Sequence, residues 1–299
     1  MPVDIAFITV NYNTLACVKQ LAAFFGALEV PLAFSFTVVD NGSTDGSREF
    51  LKSQTQIQYI QSEENLGYGR AINRGISSTE SKYVCVMNTD VILNRDALFR
   101  LWRFLEEHPE AGVCAPRITY QDGREQGMVF TCSLFSQYAV WYAKALARYA
   151  KLRIEKAKEP VRVDGVMGAF FLVRRSAIPT PSLFDEEFFF FHEDTALAHA
   201  LLNRGTPCYV VPEAKVIHVG GMSRSPEAVS LFYESKYLYL RKFYGGFHAW
   251  AVYAVDRARI LRKWILYSLY SRFSSSGQIQ SKQRYYKMAW DSEKAKPQS

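Results

Sequence analysis

Apolar residues in the first two thirds of the chain fall in short unbroken runs, each closed by a polar cluster and followed by a stretch of helical spacing. Val3 to Val10 ends in Asn11-Tyr12-Asn13, Phe36 to Val39 runs into Asp40 to Ser47, Ile57 to Ile60 is a third run, and Tyr83 to Met87 stops abruptly at Asn88, Thr89 and Asp90. Such runs read as strands buried on both faces, as in a parallel sheet covered by helices. Thr14 is placed to cap a helix reaching about Leu28, Ser43 or Thr44 one over Arg48 to Lys52, and Asn94 one from Arg95 to about Glu107. The alternation predicts an α/β fold with a mainly parallel sheet flanked by helices.

The middle of the chain continues the pattern less regularly. Val113 to Tyr120 reads as a strand closed by Asp122-Gly123. Met128 to Lys158 is helical in spacing, with Tyr138, Trp141, Tyr142 and Tyr149 among Lys144, Arg148, Lys151 and Arg153; this is an ordinary amphipathic helix or one facing an acceptor or a membrane. Val163 to Ile178 reads as one strand in which Gly165 and Gly168 allow close approach of a ligand. Phe188 to Asp194 opens a helix ending near Gly205, its four phenylalanines most simply core. Cys208 to Val211 and Lys215 to Val219 look like two short strands, the second carrying His218 before Gly220 and Gly221.

Composition changes this picture mainly at the C-terminal end. The 299 residues, 48% of them apolar, are enough for one large α/β domain with an extension, or for two domains. The formal charge of +7 is uneven: Met1 to Ser223 hold 22 Lys and Arg against 24 Asp and Glu, and Arg224 to Ser299 hold 14 against 5. An excess of nine positive charges in the last quarter points to an anionic partner for that part alone. The five cysteines are scattered singly, without a CxxC pair, and are expected to be reduced in a cytosolic chain. The start MPVDIAFITV lacks a basic n-region and a small-residue cleavage site and reads as a first strand. Leu21 to Val39 is interrupted by Glu29 and Pro31 and is not expected to span a membrane.

The polar clusters hold the candidate chemistry. In open α/β sheets ligands sit beyond the carboxyl ends of the strands, which sets Asn11, Asp40 and Asp90 at one crevice. Asp90 can hold a hard divalent cation that neutralises a diphosphate, or Asn88 to Asp90 is only a turn. Asp40 can accept hydrogen bonds from a nucleobase or ribose, or merely start a turn. In ENLGYGRAINRGI, Gly67 and Gly69 let the backbone approach a ligand, and Arg70 and Asn73 can reach phosphate or base from the entering helical turn. The motif lacks the third glycine of the dinucleotide fingerprint and follows the third strand, which argues against a nicotinamide dehydrogenase. Glu193 and Asp194 either complement a helix dipole or supply a general base in a pocket with apolar walls. His218 is either a core histidine or faces a metal.

Taken in order, VNYN, VVDNGSTDGS, ENLGYGRAINRGI, MNTD, GAFFLVRR, FDEEFFFFHED and VIHVGGMS resemble the family-2 glycosyltransferases of the GT-A fold, in particular the bacterial branch that includes rhamnosyltransferases. The resemblance implies a Rossmann-like GT-A domain over residues 1–223; outside it, composition and spacing predict a basic, aromatic-rich helical extension over 224–299 ending in a disordered tail. The resemblance also implies inverting transfer of a sugar from a nucleotide diphosphate sugar, dTDP-rhamnose or a UDP-hexose, onto a growing surface glycan. Asn11 and Asp40 would line the nucleoside pocket, and Gly67, Arg70 and Asn73 would embrace base and diphosphate. Asn88 would stand for the first acid of a DxD motif, Asp90 would bind Mg²⁺ or Mn²⁺, and His218 would complete metal or diphosphate binding. Asp194 matches the catalytic base, with Glu193 beside it. The family usually reads EDxDLxxR here, whereas Ala196 and Ala200 occupy the later acid and arginine positions; that departure bears on acceptor recognition more than on chemistry. Two rival classes remain. A non-catalytic nucleotide-sugar-binding module is disfavoured by retention of both Asp90 and Asp194, and a nucleotidyltransferase would show a basic glycine-rich loop where ITVNYNT has none.

In the extension, Phe247, Trp250, Ala254, Ala258, Leu261, Ile265 and Leu269 recur on one helical face, with Arg259 and Lys263 opposite and Arg257 and Arg262 flanking. This pattern suits an interfacial helix with snorkelling cations, or a helix docked on the catalytic body or in a homodimer. The charge excess favours peripheral attachment to an anionic cytoplasmic leaflet. Nucleic acid is not expected, because the aromatics sit with the aliphatics and not among the basic residues.

Overall fold

The computed structural model describes residues 3–127, 129–130, 132–220, 226–273 and 276–291. Gly221, Met128 and the expected tail from 292 onward lie outside these. The chain divides into two compact units, Met1–Cys132 with Ala143–Phe189 and Glu193–Gly220, and Ser133–Tyr142 with Phe190–His192 and Gly221–Ser299. All five cysteines are free, and no described helix is long and apolar enough to cross a membrane.

The first unit begins with the expected alternation: β1 (Val3–Asn11), α1 (Leu15–Gly26), β2 (Phe34–Asn41), α2 (Ser47–Lys52), β3 (Gln58–Ser62), α3 (Tyr68–Ser77) and β4 (Ser81–Asn88). A two-residue strand, β5 (Val91–Ile92), precedes α4 (Arg95–Glu107) and β6 (Val113–Thr119). Then come β7 (Val129–Phe130), α5 (Leu134–Tyr138), α6 (Val140–Lys156), β8 (Val161–Val163), β9 (Gly165–Val166), β10 (Phe170–Arg174), α7 (Glu193–Asn203) and β11 (Cys208–His218). Of these, α5 belongs to the second unit.

Nine strands form one sheet in the order β3-β2-β1-β4-β10-β6-β11-β5, with β8 on β11. The pairs of β1 with β2 and β4, of β2 with β3 and of β6 with β11 are parallel, whereas β10 runs antiparallel between β4 and β6. Ile5 to Ile8, Tyr83 to Met87 and Phe170 to Val173 are fully buried, so the apolar runs are the central strands. Register puts Asn11 opposite Asp40 and Val10 opposite Asn88, so the polar residues that close β1, β2 and β4 share one edge of the sheet.

Several local expectations are corrected. Asn94 caps α4 as expected, accepting from the Ala97 N–H at 2.8 Å. Thr14 occupies the cap position of α1, but its hydroxyl lies against Asn11 and Thr89 instead. Gly46, at φ 86°, precedes α2, and Asp45 rather than Ser43 or Thr44 accepts from the first N–H, that of Ser47. The stretch from Val163 to Ile178 is not one strand but parts of three, β8 pairing with β11, β9 with β7, and β10 with β4 and β6. Conversely, Cys208 to His218 is a single strand with a bulge between Val211 and Lys215; Pro212, which cannot donate to a ladder, sits in that bulge. Of the four phenylalanines, Phe188 is fully buried and Phe189 is 41% exposed.

The second unit contains α5 and the helices α8 (Pro226–Tyr244), α9 (Gly246–Tyr270) and α10 (Gly277–Asp291). Val229, Ile260 and Ala289 form its small core, with Tyr233 and Trp290 packed against them. Lys236 and the Tyr237 hydroxyl both meet the buried Asp256, at 2.6 and 3.3 Å. The inward side of α9 is Ala249, Val252, Asp256 and Ile260. Arg257, expected beside the apolar face, instead lies 3.7 Å over the Trp290 ring and donates to the Trp290 carbonyl.

Candidate functional site

At the ends of β1 and β2 a closed polar knot forms. The Asn11 amide donates to Asp40 at 2.7 Å and to the Ser43 hydroxyl at 2.9 Å, and the Ser43 N–H donates to the second Asp40 oxygen at 3.2 Å. Arg48 stands 3.7 Å from that same oxygen. Asn11 and Asp40 are fully buried, so each neutralises the other's desolvation while fixing the turn from Asn41 to Gly46.

A second cluster lies at the ends of β4 and β11. His218 Nε2 is 3.2 Å from Asp90 Oδ1, and the Asn88 amide is 3.4 Å from the same nitrogen. The other Asp90 oxygen accepts from the Gly220 N–H at 2.9 Å. Burial alone would raise the Asp90 pKa, but the hydrogen bond and charge of His218 and the Gly220 N–H outweigh it and hold it below the ordinary value. Two ligands of an octahedral cation at roughly 2.1 Å sit about 3 Å apart. The Asp90 and His218 atoms meet that spacing. Among the described residues no larger group of His, Cys, Asp or Glu that could hold a metal occurs, so a diphosphate and water would have to fill the remaining positions, as is usual for Mg²⁺. Gln126, which no sequence pattern singled out, braces this cluster: its Oε1 is 2.8 Å from His218 Nδ1 and its amide nitrogen donates to the His218 carbonyl at 2.6 Å.

The glycine-rich segment has a different use from the one expected. A Cβ on Gly67, which sits at φ 84°, would come within 2.4 Å of the Phe189 carbonyl oxygen, and one on Gly69 within 3.1 Å of the Phe184 side chain. Arg70 donates to the Glu186 carbonyl at 2.9 Å, and Asn73 is buried against Phe184 and Glu186. All four residues therefore seat the segment from Phe184 to Phe189, which leads to Glu193; the backbone that approaches the glycines is the chain's own.

Glu193 and Asp194 open α7. Asp194 accepts from the Gly168 N–H at 3.0 Å and from the Thr195 N–H at 2.7 Å. Burial raises its pKa against these hydrogen bonds. Glu193 is 6% exposed, one of its oxygens is unpartnered, and burial and then the Asp194 charge push it upward as well. Burial raises the proton affinity of both carboxyls, and a carboxylate so placed can take a proton from a hydroxyl. Tyr68 ties the acids together: its hydroxyl donates to the Gly168 carbonyl at 3.0 Å, and its pKa is raised well above the ordinary value by burial and then by the charges of Glu193, Asp194 and Asp90. Its place between two motif glycines was the only sequence signal for it.

The chain is similar to several known proteins. An N-acetylglucosaminyl-diphospho-decaprenol L-rhamnosyltransferase of Mycobacterium tuberculosis (strain ATCC 25618 / H37Rv) is 28% identical over 251 residues, 76% of this chain and 80% of that protein. A mannosyltransferase from Pyrobaculum calidifontis, solved with GDP-Man and Mn²⁺, superposes with a TM-score of 0.59 at 13% identity, covering 97% of this chain and 86% of that one. GalNAc-T7 with UDP, GalNAc and Mn²⁺ gives 0.56 at 13% identity, covering 81% and 51%. The two solved structures share the fold, and the profile of glycosyl transferase family 2 matches residues 7–179, more than half of the chain. The chain belongs to glycosyl transferase family 2 and has the GT-A fold.

Proposed function

We propose that this glycosyltransferase is inverting and metal-assisted, moving a sugar from dTDP-rhamnose or a UDP-hexose onto a growing cell-surface glycan with a lipid-linked acceptor. The main support is backbone geometry: the Asn88 N–H donates to the Ala169 carbonyl at 2.8 Å, and the adjoining Gly168 N–H donates to Asp194 at 3.0 Å. A metal-binding acid and a basic carboxyl thus share one neighbourhood. Asn11 and Asp40 would line the nucleoside pocket with Asn88 at its edge, and Asp90 and His218 would hold Mg²⁺ or Mn²⁺ against the diphosphate, where a Lewis acid would stabilise the leaving group without a proton donor. Asp194 takes the proton of the acceptor hydroxyl. Gly67, Arg70 and Asn73 contribute indirectly, by seating the segment that carries Asp194. The rhamnosyl donor and lipid-linked acceptor are favoured by the name of the mycobacterial relative.

The test is a donor screen with Mn²⁺, following release of nucleoside diphosphate, with calorimetry of UDP and dTDP in the presence and absence of the metal. Metal-enhanced binding and turnover with one of these donors is expected. Equal affinity with and without Mn²⁺, or no affinity for either nucleotide, would sink the metal-assisted reading.

The second unit is proposed to attach the enzyme to the anionic inner leaflet. Phe247 is 80% exposed, Trp250 46%, Ile265 50% and Leu269 48%, so the apolar face of α9 is open. Arg262 and Arg272 are exposed beside it, whereas Arg257 and Arg259 are used inside the unit.

A further inference from the structure

Gln126 presents two different atoms to one residue. Its amide nitrogen donates to the His218 carbonyl, which fixes which end of the amide is which, because an oxygen there would face another oxygen. The amide oxygen is then the atom 2.8 Å from His218 Nδ1. An oxygen at that distance is an acceptor, so Nδ1 must carry the hydrogen. In the neutral ring the lone pair is left on Nε2, the nitrogen 3.2 Å from Asp90 Oδ1 and 3.4 Å from the Asn88 amide.

From this geometry, and resting on the metal-assisted reading above, we infer that Gln126 is a positioning residue that sets the tautomer of His218, so that Nε2 and Asp90 together face a divalent cation. A carboxylate oxygen and an imidazole nitrogen at 3.2 Å repel unless a positive charge stands between them, a proton on Nε2 when the ring is charged and metal-free, or a divalent cation in its place when metal is bound to the neutral ring. Gln126 is 6% exposed and reaches His218 from the turn after β6, an element separate from those that carry Asp90 and His218. A partner of this kind, hydrogen-bonded to the far nitrogen of a ligating imidazole, fixes ring orientation and typically contributes 10–100-fold in metal affinity. The chain thereby completes a site with only one carboxylate by preparing its imidazole in advance.

The test reads the ring nitrogens first, in metal-free protein at a pH where His218 is neutral. Long-range ¹H–¹⁵N correlation spectra should show His218 with a protonated Nδ1 and a bare Nε2 in the wild type and in Gln126→Glu, whose carboxylate still accepts. Gln126→Leu should give a mixture of tautomers. Mn²⁺ titration in the presence of UDP, followed by the electron-spin resonance of free Mn²⁺, should show about a 10–100-fold loss of affinity in Gln126→Leu and a smaller one in Gln126→Glu. An unchanged tautomer in Gln126→Leu, or unchanged Mn²⁺ affinity despite a changed tautomer, overturns the inference. If Gln126→Leu does not fold, Gln126→Glu still decides: it must keep the Nδ1–H form. Absence of Mn²⁺ binding by the wild type would overturn the metal reading itself, and the ring-nitrogen result, obtained without metal, tells that failure from failure of the role given to Gln126.

Discussion

Asn73 and Phe184 hold one another through two reciprocal hydrogen bonds, the Asn73 amide donating to the Phe184 carbonyl at 2.8 Å and the Phe184 N–H donating to the Asn73 carbonyl oxygen at 3.0 Å. The side chain takes the place of a strand partner for a buried stretch of irregular backbone. Asn73→Ala would leave both Phe184 groups without these partners, at roughly 1–3 kcal/mol each. The expected outcome is a clear fall in thermal midpoint and in turnover, with nucleoside diphosphate affinity nearly intact. Calorimetry separates this from direct recognition: lost nucleotide affinity without lost stability would return Asn73 to the nucleotide.

Gly67→Ala examines the same clamp from the other side. The residue is at φ 84°, and the added carbon would meet the Phe189 carbonyl oxygen at 2.4 Å, an atom of the backbone that cannot swing away. The positive φ alone costs roughly 1–2 kcal/mol for an L-residue, and the clash adds to it. Denaturant midpoints should fall accordingly. An unchanged midpoint would mean that the segment from Phe184 to Phe189 is not held against α3.

The central strands were legible because burial on both faces leaves an unbroken apolar run, as in β1 and β4, and the helix after Asn94 because its cap and spacing agree. The ends of those runs were equally visible: Asn11, Asp40 and Asn88 share one sheet edge as their order implied. What the sequence concealed was long-range contact. Gly67 and Asn73 have the chemistry of ligand-binding residues, and nothing local says that their partner is a segment more than a hundred positions away. Gln126 lies in a polar loop without periodicity, so its pairing with His218 was invisible. Likewise Cys208 to Val211 and Lys215 to Val219 read as two strands because a bulge, which accommodates Pro212 between them, has no signature of its own.

The carboxyl pair makes distinct kinetic predictions. Asp194→Asn should lower kcat by about 10²-fold or more while leaving nucleotide affinity unaltered, the usual scale for a lost general base. Glu193, pushed up to about 8, carries no charge across the acid limb, so Glu193→Gln should leave the acid limb of the pH–rate profile in place with activity largely retained. A larger loss in Glu193→Gln than in Asp194→Asn would shift the base by one residue. Full activity in both would remove the pair from the mechanism.

Stability should also respond to pH from two sides. Glu193, ordinarily near 4.5, is pushed up to about 8 by burial and the Asp194 charge. Between those values the folded chain keeps a proton that the unfolded chain has released, so stability falls as pH rises through this window. His192, ordinarily near 6.5, is pushed down to about 3 by burial and by Lys236. Below pH 6.5 the unfolded chain binds a proton first, so stability falls as pH drops toward 3. Thermal midpoints across pH 4 to 9, at roughly constant ionic strength, should flatten on the alkaline side in Glu193→Gln and on the acid side in His192→Gln. Identical profiles in wild type and variants would contradict both assignments.

The open face of α9 makes the proposed membrane attachment testable. Phe247, Trp250, Ile265 and Leu269 are exposed while Ala249, Val252, Asp256 and Ile260 are buried, Ile260 within the small core of its own unit, so the helix has its buried positions on its other side. An apolar stripe left over in this way is covered by lipid or by a second copy of the chain. The net charge of +9 between Arg224 and Ser299 favours lipid, since two such surfaces repel one another whereas an anionic leaflet attracts each. The intact chain should therefore co-sediment with vesicles containing phosphatidylserine, weakly with neutral vesicles, and less as salt rises. Phe247→Ser, Ile265→Ser and Leu269→Ser combined should abolish sedimentation without lowering the thermal midpoint, and Arg262→Gln or Arg272→Gln should each weaken it by about fivefold, corresponding to about 1 kcal/mol per cation. Sedimentation-velocity runs on the same proteins separate the alternative. A concentration-dependent dimer that the triple variant disperses, together with an intact chain that stays in the supernatant at low salt, would assign the stripe to a homodimer and remove the reason for a lipid-linked acceptor.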